Sequence, residues 1–282
     1  MHTLPLANSV TIPLVGFGVY QIAPEETARA VADAVQAGYR HIDTAQVYLN
    51  ETEVGQGIAM CGVPREELFV TTKIWVENAG EAATRASLDR SFKRLNLDYI
   101  DMVLIHQPYG DVYGTWRALE EAQAAGRIRA IGVSNFAPDR AVDLGTFNRV
   151  MPQLNQIGIN PFRQRADEIA ALQAENIAVS AWSPFAEGQN GIFQNPVLSR
   201  IGAKYDKSVA QVIIRWLVEQ NIIVLSKSTK PERMAENLDV FDFALSDDDK
   251  AAIATLDGTF STAPRYQGVE RVKWMAERKF GQ

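Results

Sequence analysis

Four side chains able to move a proton or hold a charge stand at the ends of short apolar runs. Asp43 and Tyr48 lie in His41-Ile42-Asp43-Thr44-Ala45-Gln46-Val47-Tyr48-Leu49-Asn50-Glu51, Lys73 closes Leu68–Lys73, and His106 closes Ile100–His106. A buried carboxylate needs a cation or several donors, and a buried phenol needs a hydrogen-bond partner. Singly, each residue has an ordinary explanation: a turn former, packing, a snorkelling strand end, an interior histidine. Together they make chemical sense. A tyrosine titrates near ~10 when unperturbed, too high for an efficient proton donor at neutral pH. A neighbouring ammonium lowers that value, and a carboxylate holds the ammonium in place. Asp43, Lys73 and Tyr48 therefore read as a tuned acid, with His106 able to orient a carbonyl oxygen and stabilise its developing charge. Such a set suits the reducing end of a hydride transfer, which requires a cofactor.

A second group could hold that cofactor. Ser134 and Asn135 end one apolar run, Gln156 another, and Trp182-Ser183-Pro184 a third. An indole face with amides and a hydroxyl suits a nicotinamide, its ring stacked and its carboxamide hydrogen-bonded. Ser226-Lys227-Ser228-Thr229-Lys230-Pro231-Glu232-Arg233 then crowds cations and hydroxyls around a helix start on an acidic chain. That is a phosphate seat or, alternatively, a solvated basic face.

The elements carrying these residues alternate. Thr3 to Ile12 reads as a small hairpin turning at Asn8-Ser9. From Leu14 onward come eight apolar runs: 14–19, 41–43, 68–73, 100–106, 130–134, 153–157, 178–182 and 222–225. Amphipathic stretches follow each of them, at 24–37, 52–60, 81–95, 113–125, 138–147, 165–175, 197–205 with 208–219, and 231–238. A further helix over 247–256 and a tail close the chain. Regular alternation implies parallel strands joined by right-handed crossovers. Eight units in an undivided chain favour an α/β fold of the (β/α)₈ TIM-barrel type, with an N-terminal β-hairpin and extra helices near the C-terminus. The competitor, an open dinucleotide-binding sheet, would show G-x-G-x-x-G after its first strand. Gly16-Phe17-Gly18 begins that pattern, but Gln21 occupies the third glycine position. In a barrel the strand ends share one mouth, and there the four reactive side chains meet.

The 282 residues read as a single domain, 1–282, in which a C-terminal tail from about 259 contributes to the substrate pocket. A net charge of −6 argues against nucleic acid or an anionic membrane as the main partner. One cysteine, Cys61, excludes an internal disulfide and fits a reducing compartment. With no basic leader followed by an apolar run, and no run of membrane-spanning length, the expected location is cytoplasmic. A monomer acting on a small-molecule carbonyl substrate is expected. A metal-dependent hydrolase built on His41, Asp43 and His106 is disfavoured, because the chain has three histidines and no usual ligand cluster.

Gly38-Tyr39-Arg40-His41-Ile42-Asp43-Thr44-Ala45, Tyr48-Leu49-Asn50-Glu51, Thr71-Thr72-Lys73-Ile74-Trp75, Leu104-Ile105-His106, the Gly132–Phe136 stretch, Asn155-Gln156, and Lys227-Ser228 with Arg233 and Glu236-Asn237 occur in this order. Over nearly its whole length the chain thereby resembles the aldo-keto reductase superfamily, and within it the bacterial 2,5-diketogluconate reductases. The resemblance implies NADPH-dependent reduction of aldehydes and ketones, diketo-sugar acids or other small carbonyls among them, with NADP+ as the oxidised cofactor. It implies a catalytic tetrad of Asp43, Tyr48, Lys73 and His106, with Tyr48 the proton donor, and no metal. Ser134, Asn135, Gln156 and Trp182 would hold the nicotinamide, and Ser183, Pro184 and Phe185 would line the pyrophosphate. Lys227, Ser228, Thr229 and Arg233 would grip the 2′-phosphate, with Glu236 and Asn237 near the adenine. Tyr20, Trp75 and Gln107 would wall the substrate pocket.

The chain departs from the commoner pattern of that superfamily at several positions. Gln107 stands where a tryptophan is frequent, Gly158 and Asn160 where Glu and His are, Ser226 where proline is, and Trp182 where the stacking residue is usually tyrosine. The alternative reading is a barrel that binds the cofactor but serves a structural or regulatory role. Retention of all four reactive residues argues against it.

Overall fold

The computed structural model describes residues 2–260 and 268–281. Two short strands, β1 (Thr3–Pro5) and β2 (Thr11–Pro13), form an antiparallel hairpin with Leu4 opposite Ile12. Eight more follow: β3 (Val15–Gly18), β4 (His41–Asp43), β5 (Phe69–Ile74), β6 (Ile100–Ile105), β7 (Ile128–Ser134), β8 (Leu154–Gly158), β9 (Ala178–Trp182) and β10 (Ile222–Ser226). Each pairs in parallel with its successor, and β10 returns to pair with β3 through Val224↔Val15. That closure makes the sheet a (β/α)₈ barrel and excludes the open sheet.

β5 and β6 are buried along their entire length. A parallel strand covered outside by helices and inside by the barrel interior is dry on both faces, so its sequence reads as a near-continuous apolar run. Polar residues within such runs must find partners inside, and they mark the site.

The helices Pro24–Ala37, Glu51–Met60, Glu81–Leu95, Val112–Ala124, Pro138–Thr146, Ala166–Ala174, Val209–Val218 and Pro231–Leu238 ring the barrel. Local sequence sets their limits. Pro24 opens the first, and Gly38 ends it at φ 116°, a left-handed conformation in which a β-carbon would be strained. Ser208 and Gln211 form a reciprocal capping box at the start of Val209–Val218. An additional helix, Pro196–Tyr205, precedes it, with the Asn195 side chain accepting from the amides of Val197 and Leu198.

The hairpin lies at the N-terminal end of the barrel. Leu6 and Ile12 are buried, Leu14 N–H donates to His2 O at 3.0 Å, and Asn8 reaches the carbonyl of Arg129 beside the start of β7. The hairpin covers part of that end, and the strand ends that carry Asp43, Lys73 and His106 lie at the opposite, C-terminal mouth.

The eight runs expected from the sequence are the eight barrel strands, with ends moved by one or two residues. The sixth, for example, is Leu154–Gly158 in place of 153–157. The C-terminal region differs more. Beyond Asp247–Ala254 the tail holds a further helix, Val269–Glu277, on which Met275 is buried while Val269 and Val272 are exposed. Of the tail expected near the substrate, residues 261–267 lie outside the described residues. No helix among the described residues is long and apolar enough to cross a membrane.

Candidate active site

Asp43 ends β4 and Lys73 lies near the end of β5, on adjacent strands, with Asp43 opposite Thr71. Both are buried. Lys73 Nζ lies 2.5 Å from Asp43 Oδ1, 2.8 Å from the Thr44 carbonyl oxygen and 3.3 Å from Tyr48 Oη. An ammonium has three N–H donors, and these three acceptors use all of them. Burial pushes the Lys73 pKa down, and the facing Asp43 carboxylate opposes that shift. Since Lys73 donates to the phenolic oxygen, the hydroxyl hydrogen of Tyr48 points away from the ammonium. The same ammonium stabilises whatever negative charge that oxygen acquires.

Tyr48 sits in a single 3₁₀ turn, Gln46–Tyr48, which Leu49 ends at φ 60°. Three residues whose roles were not apparent from the sequence fix that turn. Gln46 is buried; its oxygen accepts from Trp75 N–H and from Asn78, and its amide donates to Ser91. Asn50 donates to the Val19 carbonyl and accepts from Thr44 Oγ1. Glu51 accepts from Thr72 at 2.7 Å and from Ser91, and faces Arg94 at 3.6 Å. Desolvation raises the Glu51 pKa despite these donors. The signal was visible as a polar run inside an otherwise apolar neighbourhood, yet a sequence does not say which buried groups each member meets.

His106 follows β6 and is buried, with Nδ1 lacking a hydrogen-bond partner. Desolvation, aided by the nearby Lys73 charge, holds its pKa well below the ordinary histidine value, so the ring is neutral at physiological pH. It packs edge-on against Tyr48 at 5.7 Å and Trp75 at 5.2 Å between ring centroids. Tyr20, 53% exposed, lies 4.9 Å from the Tyr48 ring, so phenol, imidazole and two further aromatic rings border one opening. Gln107 is buried beside His106. The C-terminal segment reaches the same rim: Trp75 Nε1 donates to the Arg278 carbonyl at 3.0 Å, and Phe280 stacks edge-on to Trp75 at 6.3 Å.

The residues expected to hold a nicotinamide meet on the other side of the mouth. Asn135 adopts a left-handed backbone at φ 64° and is the hub. Its amide nitrogen donates to the His106 carbonyl and to Ser134 Oγ, both at 3.1 Å, and its oxygen accepts from Trp182 Nε1 at 3.0 Å. Ser134 Oγ donates to the Gln156 carbonyl at 2.9 Å. The Gln156 side chain reaches across the barrel from β8 and donates to Asp43 Oδ2 at 2.9 Å. Beyond Trp182, Ser183 is at φ 53° and Pro184 is buried, while Phe185 packs near Phe193 at 5.7 Å.

Lys227 and Arg233 are exposed around the N-terminus of Pro231–Leu238, with Thr229 and Glu236 half-buried nearby. Ser228 shapes the loop by accepting from Lys230 N–H at 3.0 Å. Asn237 is buried, its side chain near the Tyr39 hydroxyl. Ser226, in the place of a frequent proline, shares a hydrogen bond of 2.9 Å with that same hydroxyl. Burial pushes the Tyr39 pKa up to about 12, against those two polar neighbours.

His41 is buried below the reactive cluster, its Nε2 3.0 Å from Thr71 Oγ1, so the structure gives it an interior hydrogen-bonding role. Among the described residues, no group of three or more His, Cys, Asp or Glu side chains is placed to hold a metal ion.

Residues 14–257 match the sequence profile of the aldo/keto reductase family. An aldo-keto reductase of Mycolicibacterium smegmatis is 45% identical over 258 residues, covering 90% of this chain and 93% of the relative. The glyoxal reductase of Bacillus subtilis is 42% identical, covering 90% of this chain and 92% of its own. Among solved structures, a Bombyx mori aldo-keto reductase in complex with NADP superimposes with a TM-score of 0.89 at 37% identity, covering 94% of this chain and 95% of that one.

Proposed function

The chain belongs to the aldo/keto reductase family, and from that premise we propose that it is an NADPH-dependent carbonyl reductase whose proton donor is Tyr48. The observation that carries the assignment of the donor is the 3.3 Å approach of Lys73 Nζ to the Tyr48 oxygen, with the ammonium held by Asp43 at 2.5 Å.

The residues at the mouth fit the cofactor. Asn135, Ser134 and Gln156 supply amide and hydroxyl groups beside the Trp182 indole, a donor and acceptor set matched to a carboxamide and a flat ring. Exposed Lys227 and Arg233 flank a helix N-terminus, which suits the extra phosphate that separates NADPH from NADH. When bound there, NADPH supplies a hydride to the carbonyl carbon. Tyr48 gives its proton to the carbonyl oxygen, and the product is an alcohol. Lys73 lowers the cost of the phenolate left behind, and Asp43 keeps Lys73 in place. His106, being neutral, orients the oxygen by hydrogen bonding without adding a full charge. Tyr20, Trp75 and Gln107, together with the C-terminal segment around Arg278 and Phe280, wall the substrate side and exclude water from the reacting atoms.

Small aldehydes, ketones and dicarbonyls, including diketo-sugar acids, are the substrate class. The single cysteine supports a cytoplasmic location, and a monomer is part of the same reading. The test is NADPH oxidation, followed by absorbance, against a panel of sugars, keto acids, diketones and aromatic aldehydes. Turnover of at least one class is expected. Absence of turnover across the whole panel, with NADPH binding retained, would replace the enzyme reading with that of a cofactor-binding barrel.

A further inference from the structure

Asp43 is a carboxylate with two oxygens and two different partners. Oδ1 faces Lys73 Nζ at 2.5 Å and Oδ2 faces Gln156 Nε2 at 2.9 Å. The second contact spans the interior from β8 to β4, strands four places apart around the closed sheet. An ionised carboxylate only accepts hydrogen bonds, so the nitrogen end of the Gln156 amide must face it and the oxygen end must turn away. Gln156 is 4% exposed and Asp43 3%, so water does not readily substitute for this donor.

The Gln156 backbone also belongs to the cofactor side. Its carbonyl accepts from Ser134 Oγ and from Asn135 N–H, each at about the same length, 2.9 and 3.0 Å. Asn135 is in turn bound to Trp182. One residue therefore touches both the proton-donating cluster and the nicotinamide-binding cluster, through two separate groups.

We propose that Gln156 is a positioning residue that couples the two clusters: its amide nitrogen aligns Asp43 for Lys73 while its amide oxygen receives the carboxamide of the nicotinamide. The inference rests on the function proposed above and adds a role that cofactor binding alone does not require. The mechanism is electrostatic. Oδ2 without its donor leaves Asp43 with more uncompensated negative charge beside Lys73, and both Lys73 and Tyr48 then hold their protons more tightly. Charged and titratable groups around this point are Lys73 from β5, His41 two residues before Asp43, Asp101 from β6 on the far side of His41, and Tyr48 and His106 at the mouth.

Two variants test it. Gln156→Leu keeps the bulk and removes the amide. Three readouts are compared with the wild-type protein: NADPH affinity by tryptophan quenching, titration of Tyr48 by carbon-13 tyrosine NMR in the free protein, and the pH profile of kcat. In the leucine variant, NADPH affinity and kcat are each expected to fall about tenfold or more. The Tyr48 titration and the alkaline limb of kcat are both expected at higher pH than in the wild type, the former even without cofactor.

Gln156→Glu serves if the leucine variant fails to fold. Its carboxyl can donate to Asp43 only while protonated, so activity approaches the wild-type value at low pH and collapses as pH rises. A residue that merely binds cofactor would lose NADPH affinity while the Tyr48 titration and the pH profile superimposed on those of the wild type. That result overturns the inference and leaves the proposed function standing. A wild-type protein inactive with every carbonyl would overturn both.

Discussion

Trp182 lies over Gly158: the two are paired across β9 and β8, and a β-carbon built on Gly158 would stand 2.8 Å from the indole Cζ2. Two departures from the common family pattern are thus one structural event, a larger ring on one strand seated in the space vacated on the next. The same placement brings the indole nitrogen to Asn135, which a phenol ring could not match with a nitrogen donor. Gly158→Ala should push the indole off that contact while leaving the barrel folded. NADPH affinity should fall about five- to tenfold, the worth of one hydrogen bond. In a double-mutant cycle with Trp182→Phe the two losses should be non-additive, because both remove the same contact. Equilibrium binding by fluorescence measures each corner. Independent, additive losses would show that the pair does not act together.

Tyr48→Phe removes the transferable proton and leaves the ring, its packing on Tyr20 and His106, and the Lys73–Asp43 pair. Turnover should drop by about a thousandfold or more, since general acid catalysis contributes on that scale. NADPH affinity should change less than about twofold, as no contact to the cofactor side is lost. Steady-state kinetics beside a binding titration separates the two. Retained turnover would remove Tyr48 from its role.

Lys227→Ala and Arg233→Ala each delete an exposed cation at the start of Pro231–Leu238. NADPH affinity should weaken by about ten- to a hundredfold per site, the range of a charge-assisted hydrogen bond. NADH affinity should move far less, and added salt should narrow the gap. Equal losses for both cofactors would take the phosphate away from these residues.

His41 predicts a pH dependence of stability. Burial holds its pKa at about 4 in the fold, below the 6.5 of an exposed histidine. Between those values the unfolded chain binds the proton and the native state does not. The contribution is therefore complete above about pH 6.5, is lost as pH falls, and is gone near pH 4. Its size is about 3 kcal/mol by linkage. Denaturant unfolding of wild type and His41→Gln should differ only by a constant offset for the lost Thr71 contact near pH 7, and the wild type should then lose up to about 3 kcal/mol relative to the variant as pH falls to 4. Parallel curves would contradict the assignment.

Much of this was legible in the sequence because a barrel sends strand ends to one place. Asp43, Lys73 and His106 each closed an apolar run, so their convergence followed from counting eight runs and needed no knowledge of loops. Tyr48 was harder, since it stands on a single turn outside any strand, and what holds that turn are Gln46, Asn50 and Glu51. Their partners, Ser91, Val19 and Thr72, lie up to 45 positions away in the chain, and hydrogen-bonding residues carry no periodicity that would pair them. Gln156 was legible as a polar strand end, whereas its reach to Asp43, 113 positions earlier, depends on the diameter of the closed barrel. The helix Val269–Glu277 was not among the expected elements although Val269, Val272 and Met275 stand at helical spacing, and in the fold only Met275 of these is buried.

Lys73 spends its three donors on Asp43, Thr44 and Tyr48, and its amine is sealed from solvent. It therefore acts as a fixed charge and not as a courier. On the proposed function the phenol has to be refilled after each turnover, and the opening at the mouth would be the route by which a proton comes back. Recharging the acid and letting the alcohol go would then share one doorway. Anything that lingers in that doorway delays the next cycle twice.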